Sequence, residues 1–211
     1  MKIYDDIDQR TEEWHKLRAG KFTGSDFHIL FGNSETKNNL LLKKTAERLR
    51  KTTIEDTYIN QDMERGIELE KQARLLYEIE TNQIVKEVGF CELDEWVGCS
   101  PDGLIEEEIE TTNTIPTGGI IEIKCPKDIV FLNQVINDKI KPEYYTQIQF
   151  NLYVTDRQYC DYIAYNINYP LFIKKIERDE EYIQKIKDTI EDCKKKVENN
   201  IIKIMEVLKL Q

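Results

Sequence analysis

Three residues carry the strongest chemical signal in this chain: Asp102 in CSPDGLI, and Glu122 and Lys124 in GGIIEIKCP. Glu122 and Lys124 stand two apart in a run with Ile120, Ile121 and Ile123 that reads as a buried strand. Strand alternation sends residues two apart to one face, so a carboxylate and an ammonium leave the same side of a core strand. Asp102 lies between Pro101 and Gly103, where a turn joins WVG to LIEE. If the two strands pair as a hairpin, Asp102, Glu122 and Lys124 converge. Two carboxylates held close repel unless something neutralises them. A divalent cation does so, and oxygen-only ligands favour Mg²⁺ or Mn²⁺. Such a metal lowers the pKa of a bound water and holds a phosphate oxygen. A neighbouring ammonium orients that water and stabilises charge growing on the phosphate. The same residues also fit a plain hairpin with an Asp turn and a surface salt bridge.

The elements that must position these residues can be read from hydrophobic pattern. Residues 10–19 read as a helix with Trp14 and Leu17 on one side. TGSDFHILFG reads as a helix start, capped by Thr23 or Ser25 and followed by Phe27, Ile29 and Leu30. Residues 38–51 read as a basic amphipathic helix, and residues 62–80 as a second helix with Ile67, Leu75, Leu76 and Ile79 in the core. IVKEVGFCEL, WVGCSPDGLIEE and GGIIEIKCP are short β-type runs broken by turns. PEYYTQIQFNLYVTD returns to helix, opened by Pro142. YCDYIAYNI and LFIKKIE read as two further strands. From about Asp179 a long charged helix places Ile183, Ile186, Ile190, Val197 and Ile201 on its apolar side. This order predicts an α/β protein with a mixed central β-sheet flanked by helices. One domain is expected over 1–211, with N-terminal helices at 10–80, a sheet core at 84–177 and a C-terminal helix at 179–208, since no repeat or Pro/Gly-rich linker interrupts the chain.

Composition narrows the class. The 211 residues are 40% hydrophobic and 33% charged, as expected of a water-soluble globular domain. No apolar run approaches the ~20 residues that span a bilayer. MKIYDDIDQR has no apolar signal core, and the five scattered cysteines form no CxxC pair. A cytoplasmic protein with reduced thiols is therefore expected. The net charge of −10 is unusual for a nucleic-acid binder, but a net charge is a sum and sites respond to local fields. Residues 37–51 carry Lys37, Lys43, Lys44, Arg48, Arg50 and Lys51 against Glu47 alone, a net of +5. That run reads either as a solvated helix face or as a DNA-backbone surface. Residues 106–110, EEEIE, concentrate acid in an expected loop. His15 and His28 sit in no metal-ligand pair and are expected to be structural or solvated. Cys125 is expected to be a small core residue rather than a nucleophile.

An Asp after Pro followed by Glu-x-Lys resembles the PD-(D/E)xK nuclease pattern, which has a restriction-endonuclease-like core. Further blocks sharpen the likeness. EEWHKLRAGKFTGSD, with Trp14, Leu17, Arg18, Gly20, Thr23 and Ser25, resembles the N-terminal motif of the lambda-exonuclease-like (YqaJ-type) viral recombinase family. GIELEKQARLLYE is similar to that family's Gly-x-x-x-Glu helix, and YYTQIQFNLYVT to its glutamine helix. GCSPDGLI, IEIKCP and IERDEEYI complete six blocks in order over about residues 10–183.

The resemblance implies a metal-dependent 5′-to-3′ double-stranded DNA exonuclease that attacks a phosphodiester with water and leaves 3′ single-stranded tails for phage-type recombination. It implies that Asp102, Glu122 and the Ile123 carbonyl hold Mg²⁺ (or Mn²⁺). Lys124 would handle the nucleophilic water. Glu70 would serve a second metal site or its waters. Arg18 would bind the terminal 5′-phosphate, for which a planar, always-charged guanidinium is suited. Ser25, Ser100 and Gln147 would hydrogen-bond phosphate or orient the ligand shell, although Ser25 equally fits a helix cap. Lys43, Lys44, Arg48 and Lys51 would then line the DNA backbone. The implied partners are double-stranded DNA ends, a single-strand annealing protein and two further copies in a trimeric ring. No membrane is implied. The implied setting is the bacterial cytoplasm, with a phage or virus as the source.

One feature departs from the family pattern. Asp102 and Glu122 are twenty residues apart, with EEEIETTNTIPTGG between the strands, where the family has a tight hairpin. Two other readings share much of the evidence: an endonuclease or nickase with the same chemistry, and a catalytically silent DNA-binding protein with the nuclease fold. An iron–sulfur nuclease is a third, which the cysteine positions do not support.

Overall fold

The computed structural model describes residues 1–32, 35–54, 61–106 and 118–209. The acidic excursion expected as a loop lies, beyond Glu106, outside these residues.

In chain order the elements are β1 (Lys2–Tyr4), α1 (Glu12–Arg18), α2 (Gly24–Phe27) running into a 3₁₀ turn (His28–Phe31), α3 (Glu35–Arg50), α4 (Gln61–Thr81), β2 (Ile84–Lys86), β3 (Phe90–Glu92), β4 (Gly98–Cys99), β5 (Gly103–Glu106), β6 (Gly119–Lys124), α5 (Asp128–Asn137), α6 (Pro142–Thr155), β7 (Tyr159–Ala164), β8 (Phe172–Glu177) and α7 (Glu180–Leu208). The strands form a three-stranded sheet, β1-β3-β4, and a five-stranded sheet, β2-β5-β6-β7-β8. In the larger sheet only β6 and β7 are parallel; the α5–α6 crossover joins them, as parallel neighbours require. The fold is thus mixed α/β with helices on both faces of a mixed sheet.

Two of the β-type runs are divided between the sheets. IVKEVGFCEL gives β2 to the larger sheet and β3 to the smaller; WVGCSPDGLIEE gives β4 to the smaller and β5 to the larger. Gly89 marks the first break, because a side chain there would strike the Ile7 carbonyl. Pro101 and Asp102 mark the second. β1 and α5 have no counterpart among the expected elements. β1 is three residues long, too short for a period, and α5 is apolar on nearly all sides.

The sheet sorts its apolar residues by parity. Leu104, Ile120, Tyr162 and Ala164 pack into the larger core with α2, α3, α6 and α7. Ile105, Ile121, Ile123 and Ile163 pack into a second core under α4. α7 buries Ile183, Ile186, Ile190 and Val197 as expected, and Cys193 with them, while Ile201 is half-buried. α4 departs from expectation. It buries Leu69, Ala73 and Tyr77, spaced four apart, and leaves Leu75 and Ile79 exposed, with 61% and 77% of their surface open. Either stripe of this helix is apolar enough to face a core; Ala73 admits the helix close to the sheet, and Tyr77 donates to Asp161 Oδ2 at 2.6 Å. Ile67 lies half-buried at the helix edge. Among the described residues no helix is long and apolar enough to cross a membrane.

Candidate active site

β5 and β6 pair antiparallel, with Gly103 opposite Ile121 and Leu104 opposite Ile120. Asp102 therefore stands at the head of β5, beside the last residues of β6. Its Oδ2 accepts the Ile123 N–H at 2.6 Å. A strand residue sends its N–H and C=O to the same side, so the Ile123 carbonyl opens toward Asp102 too. Tyr165 N–H donates to the Lys124 carbonyl at 2.9 Å on the opposite side, as the alternation demands.

Glu122 and Lys124 share the face of β6 that meets α6. Lys124 Nζ donates to Glu122 Oε1 at 2.5 Å, and Asn151 Nδ2 from α6 donates to Glu122 Oε2 at 3.1 Å. Glu122 has no exposed surface. On the other side of Asp102 a cleft of about 340 Å³ opens between α4, the 5–10 segment and the Glu87–Gly89 turn. Glu70 projects into it from α4, where Arg10 Nη2 lies 3.4 Å from Oε2 and Arg74 Nη2 lies 3.5 Å from Oε1.

The charges of this group are strained by their setting. Burial, and then the charge of Glu122, push the Asp102 carboxyl up to about 7. Burial raises Glu122 as well, against the pull of Lys124. Burial and the nearby Asp102 raise Glu70, although Arg10 and Arg74 oppose them. Burial pulls the Lys124 ammonium down, but Glu122 and Asp102 outweigh it and hold the proton above the ordinary lysine range. Lys124 is thus a fixed cation, with its Nζ 5.3 Å from the centre of the Tyr144 ring.

Three carboxylates whose negative charge is this costly, with a carbonyl beside them, form a donor set suited to a hard cation. Among the described residues no three Asp, Glu, His or Cys side chains form a ready-made metal cage. Asp102, Glu122 and Glu70 are instead occupied by an N–H, an ammonium and an amide, and two guanidiniums. The residues fit the metal by chemistry.

The residues linked by motif to a phosphate connect to this centre through Asn151 on α6 and through Ser100. Arg18 ends α1; its guanidinium stacks 4.2 Å from the centre of the Trp14 ring and reaches Thr23 Oγ1 at 3.4 Å. Thr23 Oγ1 lies 3.4 Å from Ser25 Oγ. Glu12, in the first turn of α1, pairs with Lys16 at 2.6 Å. Gly24 packs so close to α6 that a Cβ there would come 2.7 Å from Asn151 Oδ1 and 3.3 Å from Gln147 Cγ. Ser100 is turned toward the scaffold: it donates to the Gly89 carbonyl at 2.8 Å and accepts Trp14 Nε1–H at 2.9 Å. It therefore supports the Trp14 ring on which Arg18 rests. Thr23, not Ser25, is the cap position of α2; its side chain makes no capping bond, and exposed Ser25 sits in the first turn.

The basic helix does not stand where its charge suggested. Lys44 is 6% exposed and bonded to buried Glu47 at 3.0 Å. Arg48 lies over Trp96, 3.4 Å from the ring centre, and donates to the Glu95 carbonyl at 3.1 Å. Lys43 is half-buried, and Lys51 is exposed just past the helix end in a left-handed conformation. A charge count along a helix does not say which cations turn inward to meet a buried acid. His28 is exposed and His15 half-buried. Burial raises the Cys125 thiol to about 11, so it is no nucleophile at neutral pH.

Sequence reasoning missed Asn151, Tyr144, Arg10 and Arg74. Asn151 lies four residues after Gln147 on α6, and that spacing alone places both on one helix face.

A model of the YqaJ-like viral recombinase domain matches residues 13–158. An alkaline exonuclease (LHK-Exo) from Laribacter hongkongensis is 34% identical, with a TM-score of 0.83 over 95% of this chain and 100% of that one. Its complex with dAMP is 33% identical, with the same TM-score and coverage. A phage-related exonuclease from Haemophilus somnus 129PT, 19% identical over 87% of this chain and 96% of its own, shares the fold with a TM-score of 0.67. The R354 protein of Acanthamoeba polyphaga mimivirus is 25% identical over 175 residues, which are 80% of this chain and 31% of that protein, so the chain spans about a third of that curated relative. With the matching blocks assembled around Asp102, Glu122 and Lys124 on one nuclease fold, the chain belongs to the YqaJ-like viral recombinase family.

Proposed function

We propose that this chain is a metal-dependent DNA exonuclease that enters at double-stranded ends, cuts 5′ to 3′ and leaves a 3′ single-stranded tail. The observation that carries the reading is the juxtaposition of a crowded Asp102–Glu122–Lys124 centre with the Arg18–Thr23–Ser25 cluster, the two joined through α6. The similarity to LHK-Exo supports the exonuclease class. Asp102, Glu122 and the Ile123 carbonyl would hold Mg²⁺ or Mn²⁺, with Glu70 serving a second ion or its waters. When bound, such an ion supplies Lewis acidity and lowers the pKa of water.

The protein's own groups do the rest. Lys124, a permanent cation, donates to the attacking water or to a phosphate oxygen and stabilises the charge that develops there. Asn151 holds Glu122 in place. Arg18, braced on Trp14, grips the terminal 5′-phosphate with two parallel donors, and Ser25 and Gln147 complete that grip. Anchoring the end sets the next phosphodiester in line with the water, which is catalysis by positioning. The product is a 5′-mononucleotide, and the tail is the substrate of a strand-annealing protein. A head-to-tail ring of three copies encircling the duplex, and action inside a bacterial host infected by a phage or virus, complete the proposal.

The test is digestion of linear duplex DNA with Mg²⁺, comparing 5′-phosphate with 5′-hydroxyl ends beside a covalently closed circle, with Lys124→Ala as control. Loss of the linear duplex, faster with 5′-phosphate, and an intact circle are expected. A cut circle would reassign the chain as an endonuclease, and no metal-dependent cutting would leave a nuclease fold without the activity.

A further inference from the structure

The buried charges of α3 need an explanation, since they do not face DNA. Glu47 is 1% exposed, yet its carboxylate bonds reach two neighbouring segments as well as Lys44 on its own helix. Its Oε2 accepts the Gly20 N–H at 3.1 Å and Lys44 Nζ at 3.0 Å, and its Oε1 accepts the Ile54 N–H at 3.1 Å. Burying a charged pair is costly, and for stability alone an apolar pair of similar size would serve as well. The charge instead holds two backbone N–H groups outside the helix, those of Gly20 and Ile54.

Gly20 is where the chain turns between Arg18 and Thr23. It has φ of +70°, a conformation that a residue with a side chain rarely adopts, and a Cβ there would collide with Arg48 Cγ. Arg48 closes the turn from that side, stacked on Trp96. Beyond it, Phe22 N–H donates to the Trp96 carbonyl at 2.7 Å, and Gly98 N–H donates to the Phe22 carbonyl at 3.2 Å. Those bonds tie the segment to β4, which leads directly into Ser100 and Asp102. Lys21 is fixed as well, with Nζ 2.9 Å from Glu92 Oε1. The turn therefore has one setting, and that setting decides how far the Arg18 guanidinium lies from Thr23 and from the carboxylate centre.

We infer that Glu47, neutralised by Lys44 and aided by Arg48, is a positioning residue for the end-phosphate grip: it pins the Gly20 turn so that Arg18 meets the 5′-phosphate in register with Asp102. This rests on the proposed role of Arg18. Glu47 touches neither substrate nor metal. Its loss is read as lost discrimination between phosphorylated and unphosphorylated ends, which a loss of fold stability does not produce.

The experiment is equilibrium binding of fluorescent duplexes with 5′-phosphate or 5′-hydroxyl ends, with Ca²⁺ in place of Mg²⁺ to prevent cutting. The proteins are wild type, Arg18→Ala, Glu47→Gln, the Lys44→Met/Glu47→Gln double variant, and Arg18→Ala/Glu47→Gln. The double variant removes both buried charges together, so it keeps the test valid if Glu47→Gln alone folds poorly. The expected result is a wild-type preference for phosphate that falls about tenfold in Arg18→Ala and in either Glu47 variant, the loss of one charge-assisted contact, with no further fall when Arg18 and Glu47 are changed together. If Arg18→Ala abolishes the preference and both Glu47 variants keep it, the positioning role is overturned and the role of Arg18 stands. If wild type shows no preference, the role of Arg18 falls and the inference falls with it.

Discussion

Asn151 on α6 donates to Glu122 on β6 at 3.1 Å, inside the protein and on the carboxylate oxygen that Lys124 leaves open. This bond joins the helix that carries Gln147 to the strand that carries Glu122 and Lys124. Asn151→Ala leaves a buried carboxylate oxygen without a donor, at a cost of about 1–3 kcal/mol in stability. Activity should fall roughly 10–100-fold, as is typical when a ligand's supporting partner is lost. Asn151→Asp should be worse, since it sets a like charge against Glu122. Urea denaturation and initial rates on linear duplex check both; full activity in Asn151→Ala would show that Glu122 is positioned by Lys124 alone.

The raised Asp102 carboxyl predicts how metal-free stability changes with pH. Its folded pKa, about 7, lies above its ordinary value of 3.8, so the folded state holds the proton more tightly than the unfolded one. That stability is fully present below about 4 and is lost as pH rises through 7. Metal-free protein should therefore show a Tm contribution that declines across this window, and Asp102→Asn should flatten it while keeping an acceptor for the Ile123 N–H. Thermal unfolding in chelator from pH 4 to 8 measures the slope. Identical slopes in the two proteins would mean that Asp102 is ordinary.

Lys124 is held protonated by Glu122 and Asp102, so it acts as a cation and not as a base. The pH–rate profile should show no limb from Lys124 between pH 7 and 10. Lys124→Ala should lose on the order of 10²–10³ in rate, the scale of one transition-state donor, with no recovery at high pH. A wild-type limb in that range that disappears in Lys124→Arg would instead show a lysine that titrates.

Lys44 is buried inside α3 and Lys51 is exposed just past its end, and their substitutions should differ accordingly. Lys44→Ala leaves Glu47 charged and buried, a loss of about 3–5 kcal/mol. Lys51→Ala removes an exposed cation and should stay within about 0.5 kcal/mol. Chemical denaturation of both proteins separates them, and equal stabilities would return Lys44 to the surface.

What the sequence by itself determined was the local chemistry. Period-two alternation put Glu122 and Lys124 on one face, Pro101–Asp102–Gly103 marked a turn, and the order of the blocks identified the family. These signals are local because backbone geometry acts over a few residues. Tertiary structure decided which of two apolar stripes α4 buries, because a helix cannot choose its face until a sheet is there to meet it. It turned Lys44 inward beside Glu47, a neighbour on its own helix that the fold buries, and laid Arg48 over Trp96 from a distant segment. It also brought Asn151 and Arg10 to carboxylates 29 and 60 residues away in the chain, whereas Arg74 meets Glu70 by the i,i+4 spacing of one helix. The reach from Asn151 to Glu122 belongs to the packed core, where charge is costly enough that a carboxylate must find a partner wherever the chain folds one to it, while Arg10 meets Glu70 at the open side of the cleft.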